Sequence, residues 1–239
     1  MNSFDLNIIT YINQFSQNSL AFDRAISFLA SSNSLKGGVL VTIIWWAWFK
    51  NDKCQTHNRE HVTLTLLCCF FALFLGRVLA LTLPYRLRPF HEESLAFLIP
   101  YGVEETKLEG WSSFPSDHAL LFFALSTGLL FISRKIGVFA LTYTALFIGL
   151  PRIYLGLHYP TDIIAGAVIG MAISALGNIY LAHAKSIKSI TNWAILKPHF
   201  FYPMFFILTY QIVDMFGDAR SIGSGVYKLF QSGFDLKLL

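Results

Sequence analysis

The chain has 239 residues, of which 54% are hydrophobic and only 13% are charged, and its net charge is +4. Soluble domains carry about 25% charged residues, so this composition excludes an ordinary soluble protein. The apolar residues form long blocks, which indicates an integral membrane protein that lies in a lipid bilayer. The basic residues are scattered between these blocks, and this distribution argues against a nucleic-acid partner.

The two ends of the chain differ from its middle. Residues 1–34 alternate apolar and polar side chains, a pattern typical of amphipathic helices that lie in the membrane interface. We assign residues 35–216 to a membrane domain. Residues 217–239 are predicted to form a tail on the membrane surface, because apolar side chains recur within a polar segment.

Six apolar blocks follow one another through the membrane domain. They cover residues 37–49, 61–84, 115–133, 136–151, 160–183 and 200–216, and the short first block is expected to borrow residues from about Ser34 onward. The fifth block is rich in Gly and Ala, which permit close contact between membrane helices. The sequence therefore predicts an all-α fold, a bundle of six transmembrane helices preceded by amphipathic N-terminal helices.

The basic residues predict the orientation of this bundle. The segments after the first, third and fifth blocks contain Lys50, Lys53, Arg59, Arg134, Lys135, Lys185 and Lys188. Because cytoplasmic loops are enriched in Lys and Arg, these segments are predicted to be cytoplasmic and both chain ends external. The N-terminus would move to the inside if the first block did not span the membrane.

This topology brings four polar clusters to the external face. They are Arg86 and Arg88 before Pro89, then Ser116, Asp117 and His118 after Pro115, then Arg152, and finally His158 and Asp162 around Pro160. Proline at residues 115 and 160 suits the first turn of a helix, and Pro89 favours an extended backbone at Arg88. The fold itself is therefore expected to assemble these residues into one site.

The residue types in these clusters fit phosphoryl transfer. Arginine binds phosphate oxygens through paired donors, and a helix start at Ser116 offers free backbone N–H groups. Asp162 can reach back to one nitrogen of His158, which leaves the other nitrogen free to attack phosphorus. His118 could protonate the leaving oxygen. The three cysteines do not have the spacing of metal ligands, and the chain shows no acidic metal-binding cluster. We therefore predict no metal and no cofactor.

These motifs resemble the type 2 phosphatidic acid phosphatases, the PAP2 family. The family's Pro-Ser-Gly-His is present as Pro115-Ser116-Asp117-His118, and its Ser-Arg, histidine and aspartate as Pro151-Arg152, His158 and Asp162. The resemblance implies the following roles: nucleophile His158, orienting partner Asp162, general acid His118, and phosphate ligands Arg88, Ser116 and Arg152.

The first family motif is incomplete. Arg88-Pro89 is present, but Leu81 occupies the position where the family has lysine. Two cations are candidates for the missing contact, Arg86 in the same turn as Arg88 and Arg77 one helical turn before Leu81. We favour Arg86, because it lies at the site rather than deeper in the bilayer. For Asp117 a helix-dipole role is favoured over a catalytic one.

The sequence thus predicts a lipid phosphatase of a bacterial plasma membrane, with its site on the external face. Phe114–His118 and Arg88–Phe90 resemble a branch of the family that acts on polyprenyl diphosphates, so undecaprenyl diphosphate, phosphatidic acid and phosphatidylglycerol phosphate are the candidate substrates. Two alternatives remain: a lipid-phosphate binding or transport protein that does not turn over, and an enzyme resembling vanadium haloperoxidases. Four histidines at polar block ends, His57, His61, His183 and His199, are interpreted as incidental. The oligomeric state is left open.

Overall fold

The computed structural model describes residues 2–51, 53–104, 108 and 110–218. Within these residues all regular secondary structure is helical, and no strand is present. Besides two 3₁₀ turns at Pro89–His91 and Glu93–Leu95, the described residues form nine longer helices: α1 Ser3–Asn13, α2 Leu20–Ser31, α3 Ser34–Phe49, α4 Gln55–Thr82, α5 Asp117–Leu130, α6 Arg134–Tyr154, α7 Pro160–Leu181, α8 Lys185–Leu196 and α9 Pro198–Asp214. The predicted all-α fold is confirmed for this part of the chain.

Among the residues that the structure describes, three helices are long and apolar enough to cross a membrane: α4, α6 and α7. Helices α3 and α5 are apolar but shorter, and at 1.5 Å per residue the 14 residues of α5 extend only about 21 Å. The third apolar block continues to residue 133, but the helix ends at Leu130, because residues 131–133 turn into α6. Helix length therefore supports three spans directly, half of the predicted number.

Helix α5 lies at the centre of the fold, packed against α4, α6 and α7. Its contact with α7 is close because α7 presents glycine at two positions. A Cβ at Gly166 would lie 2.7 Å from the carbonyl oxygen of Ser116, and one at Gly170 would lie 2.2 Å from that of Leu120. The small residues predicted to permit close packing thus bring the N-terminal ends of α5 and α7 together.

The two N-terminal helices pack across the end of α6, and α1 also contacts the start of α7. Each contributes one fully buried carboxylate to this contact, Asp5 from α1 and Asp23 from α2. Large apolar side chains such as Phe4, Tyr11 and Phe28 remain exposed on the other side. Their location in the membrane interface stays a prediction, and the predicted C-terminal tail lies outside the described residues from 219 onward.

Candidate active site

The four predicted polar clusters meet at one end of the bundle. The Ser113 N–H donates to the Arg86 carbonyl at 2.9 Å, and the Ser116 N–H donates to the Asp162 carbonyl at 3.2 Å. These backbone hydrogen bonds join the segment after α4, the start of α5 and the start of α7. Arg152, near the end of α6, contacts His118 directly.

His158 lies in the turn between α6 and α7. The N–H groups of Leu157 and His158 both donate to the Arg152 carbonyl, at 3.0 and 3.2 Å. The turn passes through Gly156 with φ of +67°, where a Cβ would lie 2.6 Å from the Phe97 ring. Only glycine satisfies both conditions, so this residue fixes the position of the histidine backbone.

The imidazole of His158 is held by a backbone carbonyl rather than by the expected carboxylate. Its Nδ1 lies 2.8 Å from the Ser113 carbonyl oxygen, whereas Asp162 Oδ2 lies 3.7 Å away. At that separation the carboxylate acts on the ring through its charge. Since the carbonyl can only accept, Nδ1 carries the proton and Nε2 has the free lone pair.

Burial also keeps His158 neutral. Desolvation lowers the pKa of this buried imidazole below its ordinary value of 6.5, and the nearby Asp162 carboxylate opposes that shift. A neutral ring with an unprotonated Nε2 is the form required of a nucleophile.

Arg88 faces the free nitrogen of His158. Its backbone is extended, with φ −77° and ψ 152°, as the following proline predicts. Nη1 donates to the Leu157 carbonyl at 2.6 Å and lies 3.4 Å from His158 Nε2, while Nη2 donates to the Ser112 carbonyl at 3.3 Å. Burial lowers the pKa of Arg88, an effect partly offset by Asp117 and Asp162.

Arg152 lies against the second histidine. Its Nη2 donates to the Ala30 carbonyl at 2.8 Å and to His118 Nε2 at 2.7 Å. Because a guanidinium can only donate, Nε2 of His118 accepts this hydrogen bond. The carbonyl of Ala30 belongs to the last turn of α2, so the N-terminal segment takes part in building the site.

Both arginines keep one donor without a partner. The Nε–H groups of Arg88 and Arg152 are buried and have no hydrogen-bond partner among the described residues. A buried donor without an acceptor is costly, and two of them on like-charged side chains indicate a place for an anion. The planar guanidinium matches the oxygens of a phosphate in particular.

The start of α5 is held by its own side chains. Ser116 is fully buried, and its Oγ accepts from the Ala119 N–H at 3.5 Å as the helix cap. Asp117 pairs with Arg77 at 2.6 Å, and that guanidinium lies over the Trp111 ring. The phosphate contact of Ser116 stays a prediction, and Arg77 has a carboxylate partner.

Arg86 contacts carboxylates rather than an open site. Nη1 donates to Asp162 Oδ1 at 2.5 Å and to Thr161 Oγ1 at 2.9 Å, while Nη2 donates to Asp5 Oδ2 at 2.6 Å. This arrangement differs from the expected phosphate contact, because both Nη atoms are directed at the start of α7 and at α1. In the described structure Arg86 orients Asp162. Leu81 is 84% exposed on α4, so its side chain faces away from the site.

The sequence profile of the PAP2 superfamily matches residues 61–185, more than half of the chain. The chain belongs to the PAP2 superfamily. The matched region contains every predicted site residue, and the helices that frame it make this PAP2 protein an integral membrane protein.

Several curated proteins are similar to this PAP2 protein. Undecaprenyl-diphosphatase BcrC of Bacillus subtilis is 29% identical over 164 residues, which are 64% of this chain and 79% of that protein. An undecaprenyl-diphosphatase of Sulfolobus acidocaldarius is 32% identical over 54% of this chain and 59% of its own length. The match to the Sulfolobus protein thus covers less than two thirds of that relative.

A solved structure supports the fold. The crystal structure of a transmembrane PAP2-type phosphatidylglycerolphosphate phosphatase from Bacillus subtilis aligns with a TM-score of 0.51. The alignment covers 76% of this chain and 86% of that one, at 22% sequence identity. This likeness concerns the arrangement of the helices.

Asp5, Ser113 and Lys36 are among the contributors to the site that the sequence patterns missed. Asp5 lies in the amphipathic N-terminal region and meets Arg86 across more than 80 positions of the chain. The Ser113 contact is made by a backbone atom, which leaves no trace in the residue type. Lys36 is buried at the start of α3, close enough for its charge to act on His118. A lysine at the edge of an apolar block was the available signal for Lys36.

Proposed function

We propose that this PAP2 protein is a lipid phosphatase that works through a phosphohistidine on His158. The observation that carries the proposal is the pair of buried Nε–H donors without a partner, one on Arg88, which contacts His158, and one on Arg152, which contacts His118. A phosphate between the two guanidinium groups satisfies both donors and presents its phosphorus to Nε2 of His158.

The reaction has two steps that share these groups. Nε2 of His158 attacks phosphorus, an N–P bond forms, and the P–O bond to the leaving group breaks. A bound phosphate takes over the Arg152 donor, so Nε2 of His118 is free to take the proton of the incoming phosphate monoanion, and His118 then passes this proton to the departing oxygen. Water then gives a proton back to His118 and attacks phosphorus, the N–P bond breaks, and inorganic phosphate leaves. Neither step requires a metal, since the arginines supply the positive charge.

Asp162 has an indirect role in this scheme. Its Oδ2 accepts from the Tyr159 N–H at 2.8 Å and thereby caps α7, while its charge lies 3.7 Å from the imidazole. As the histidine gains positive character on bonding to phosphorus, that carboxylate stabilises it. We therefore assign Asp162 to the positioning and charge stabilisation of His158.

The substrate we propose is a polyprenyl diphosphate of the undecaprenyl class. Two similar proteins are named undecaprenyl-diphosphatases, and the two motifs shared with that branch lie at the site. Phosphatidic acid and phosphatidylglycerol phosphate are the competing lipids. A panel of all three, presented in detergent micelles at equal concentration, ranks them by kcat/KM.

We further propose six spans with the site on the external face of a plasma membrane. The basic residues of the predicted cytoplasmic segments lie at the ends of helices opposite to the site, for example Arg134 and Lys135 at the start of α6 and Lys185 at the start of α8. Helices α3, α5 and α9 then complete the bundle with the three long helices, and α8 lies at the cytoplasmic surface.

The test is phosphate release by His158→Ala, with His199→Ala as the matched control. His199 is an exposed histidine at the start of α9, outside the site. We expect His158→Ala to lose activity while it elutes from size exclusion as the wild type does. Full activity of that variant contradicts the proposal.

A lipid-phosphate carrier is the second candidate, because Leu81 faces away and Arg86 is held by carboxylates. Wild-type protein that binds the labelled lipid without releasing phosphate supports the carrier.

A further inference from the structure

Three histidines meet at the opposite end of α4 from the site. His57 and His61 lie one turn apart near the start of α4, and His183 follows the end of α7. Their ring centroids are 4.3, 5.6 and 5.5 Å apart. One ring nitrogen from each lies within 4.8 Å of the others. From the sequence alone these residues are interpreted as incidental, because nothing in the sequence shows that the ends of α4 and α7 meet.

Two of the three rings are oriented by a neighbour. His183 Nδ1 lies 2.6 Å from Glu60 Oε2, and His61 Nδ1 lies 2.8 Å from Asn178 Oδ1. Since both oxygens accept, each Nδ1 carries a proton and each Nε2 keeps its lone pair. A carboxylate or amide behind the ligating imidazole is the arrangement that fixes metal-binding histidines in proteins.

The dimensions fit a small transition-metal ion. Zn–N distances of 2.0–2.1 Å place two ligands of a tetrahedral site about 3.3 Å apart. The three nitrogens therefore have to approach by roughly 1.5 Å at most to bind the ion. His57 and His183 are exposed and can rotate to do so, whereas His61 is buried and stacked on Phe131 at 5.4 Å.

We propose that His57, His61 and His183 bind a divalent transition metal, with Zn²⁺ as the best match. Three neutral imidazoles suit Zn²⁺, and the fourth position is open to water or to the Glu60 carboxylate. The ion ties the start of α4 to the end of α7. From His61 to Thr82 the helix rises roughly 30 Å, so this metal is remote from the phosphatase site and takes no part in its chemistry.

Cobalt is the probe of choice, because four-coordinate Co²⁺ absorbs in the visible range. The protein is purified through a tag that contains no histidine, treated with EDTA, and titrated with CoCl₂. We expect a visible band that saturates at one equivalent and disappears when excess ZnSO₄ is added. His57→Ala and His183→Ala should lose the band, His199→Ala should keep it, and Glu60→Gln should weaken binding roughly 10- to 100-fold.

Thermal unfolding gives an independent readout. The Tm of the wild type should rise with Zn²⁺ concentration, whereas that of His57→Ala should not, and the two should unfold at the same Tm in EDTA. Absence of a saturable band in the wild type overturns the proposal, as does unchanged Co²⁺ affinity in both alanine variants. Neither result depends on phosphatase activity, so failure here leaves the proposed function untouched.

Discussion

The contact between Asp5 and Arg86 offers a sharp test of the site's construction. Asp5 accepts from Arg86 Nη2 at 2.6 Å, from the Thr161 N–H at 2.9 Å and from Thr161 Oγ1 at 2.6 Å. Replacing Asp5 by asparagine keeps the volume but removes the charge. A hydrogen bond to a charged group contributes about 1.5–3 kcal/mol, so Asp5→Asn should lower the free energy of unfolding by about that amount.

Combination with Arg86→Gln isolates the contact. Arg86→Gln alone leaves Asp5 and Asp162 buried without their cation, which costs about 3–5 kcal/mol. In the double variant one of those carboxylates has already lost its charge. Denaturant unfolding in mixed micelles measures the free energy of unfolding of each variant. The losses of the two single variants should add up to at least about 1 kcal/mol more than the loss of the double variant.

A second buried carboxylate provides the matched control. Asp23 is also fully buried in the N-terminal segment, but it accepts from the Gln17 and Tyr101 N–H groups and from the Tyr154 hydroxyl. Asp23→Asn and Arg86→Gln should be additive. If Asp5→Asn and Arg86→Gln are additive within about 0.5 kcal/mol as well, the reasoning is refuted.

The same variants separate positioning from phosphate binding. If Arg86 orients Asp162, both Arg86→Gln and Asp5→Asn lower kcat and leave KM nearly unchanged. A strong rise of KM in Arg86→Gln alone would instead assign Arg86 to the phosphate, as the sequence motif suggested.

Three further predictions concern the anion site, the histidine and the helix packing. Arg88→Lys and Arg152→Lys should each raise the inhibition constant of vanadate by about 10- to 150-fold, because lysine lacks an Nε–H. An unchanged inhibition constant would contradict the claim that these Nε–H groups bind the anion. Since burial lowers the pKa of His158, the acidic limb of the kcat/KM profile should lie below pH 6.5, and an acidic limb above that value would contradict a neutral nucleophile. Gly170→Ala forces a Cβ to within 2.2 Å of a backbone oxygen of α5 and should destabilise by about 1–3 kcal/mol or more, whereas Gly38→Ala, with 3.6 Å of space, should be tolerated in thermal unfolding.

Residues that act through local sequence were predictable. Pro89 sets the extended backbone of Arg88, and Pro160 starts α7 with Asp162 in its first turn. The spacing from Arg152 to Asp162 follows from one short turn, so these residues could be placed together from the sequence alone.

Contacts between distant segments could not be predicted. Asp5 reaches Arg86 and Thr161 only because α1 docks on the start of α7, and His61 reaches His183 only because two helix ends meet. Hydropathy locates the apolar blocks, but it does not show where each helix begins and ends. Helix α5 is therefore shorter than the apolar block that predicted it. The partner of His158 Nδ1 is a backbone carbonyl, which no residue pattern encodes.

The central claim is that phosphate is transferred to His158. The most direct measurement is rapid acid-free quenching of the enzyme with ³²P-labelled undecaprenyl diphosphate, followed by mapping of the labelled peptide. The account predicts base-stable, acid-labile label on His158 in the wild type and none in His158→Ala. Label on another residue, or phosphate release by His158→Ala at the wild-type rate, would contradict it.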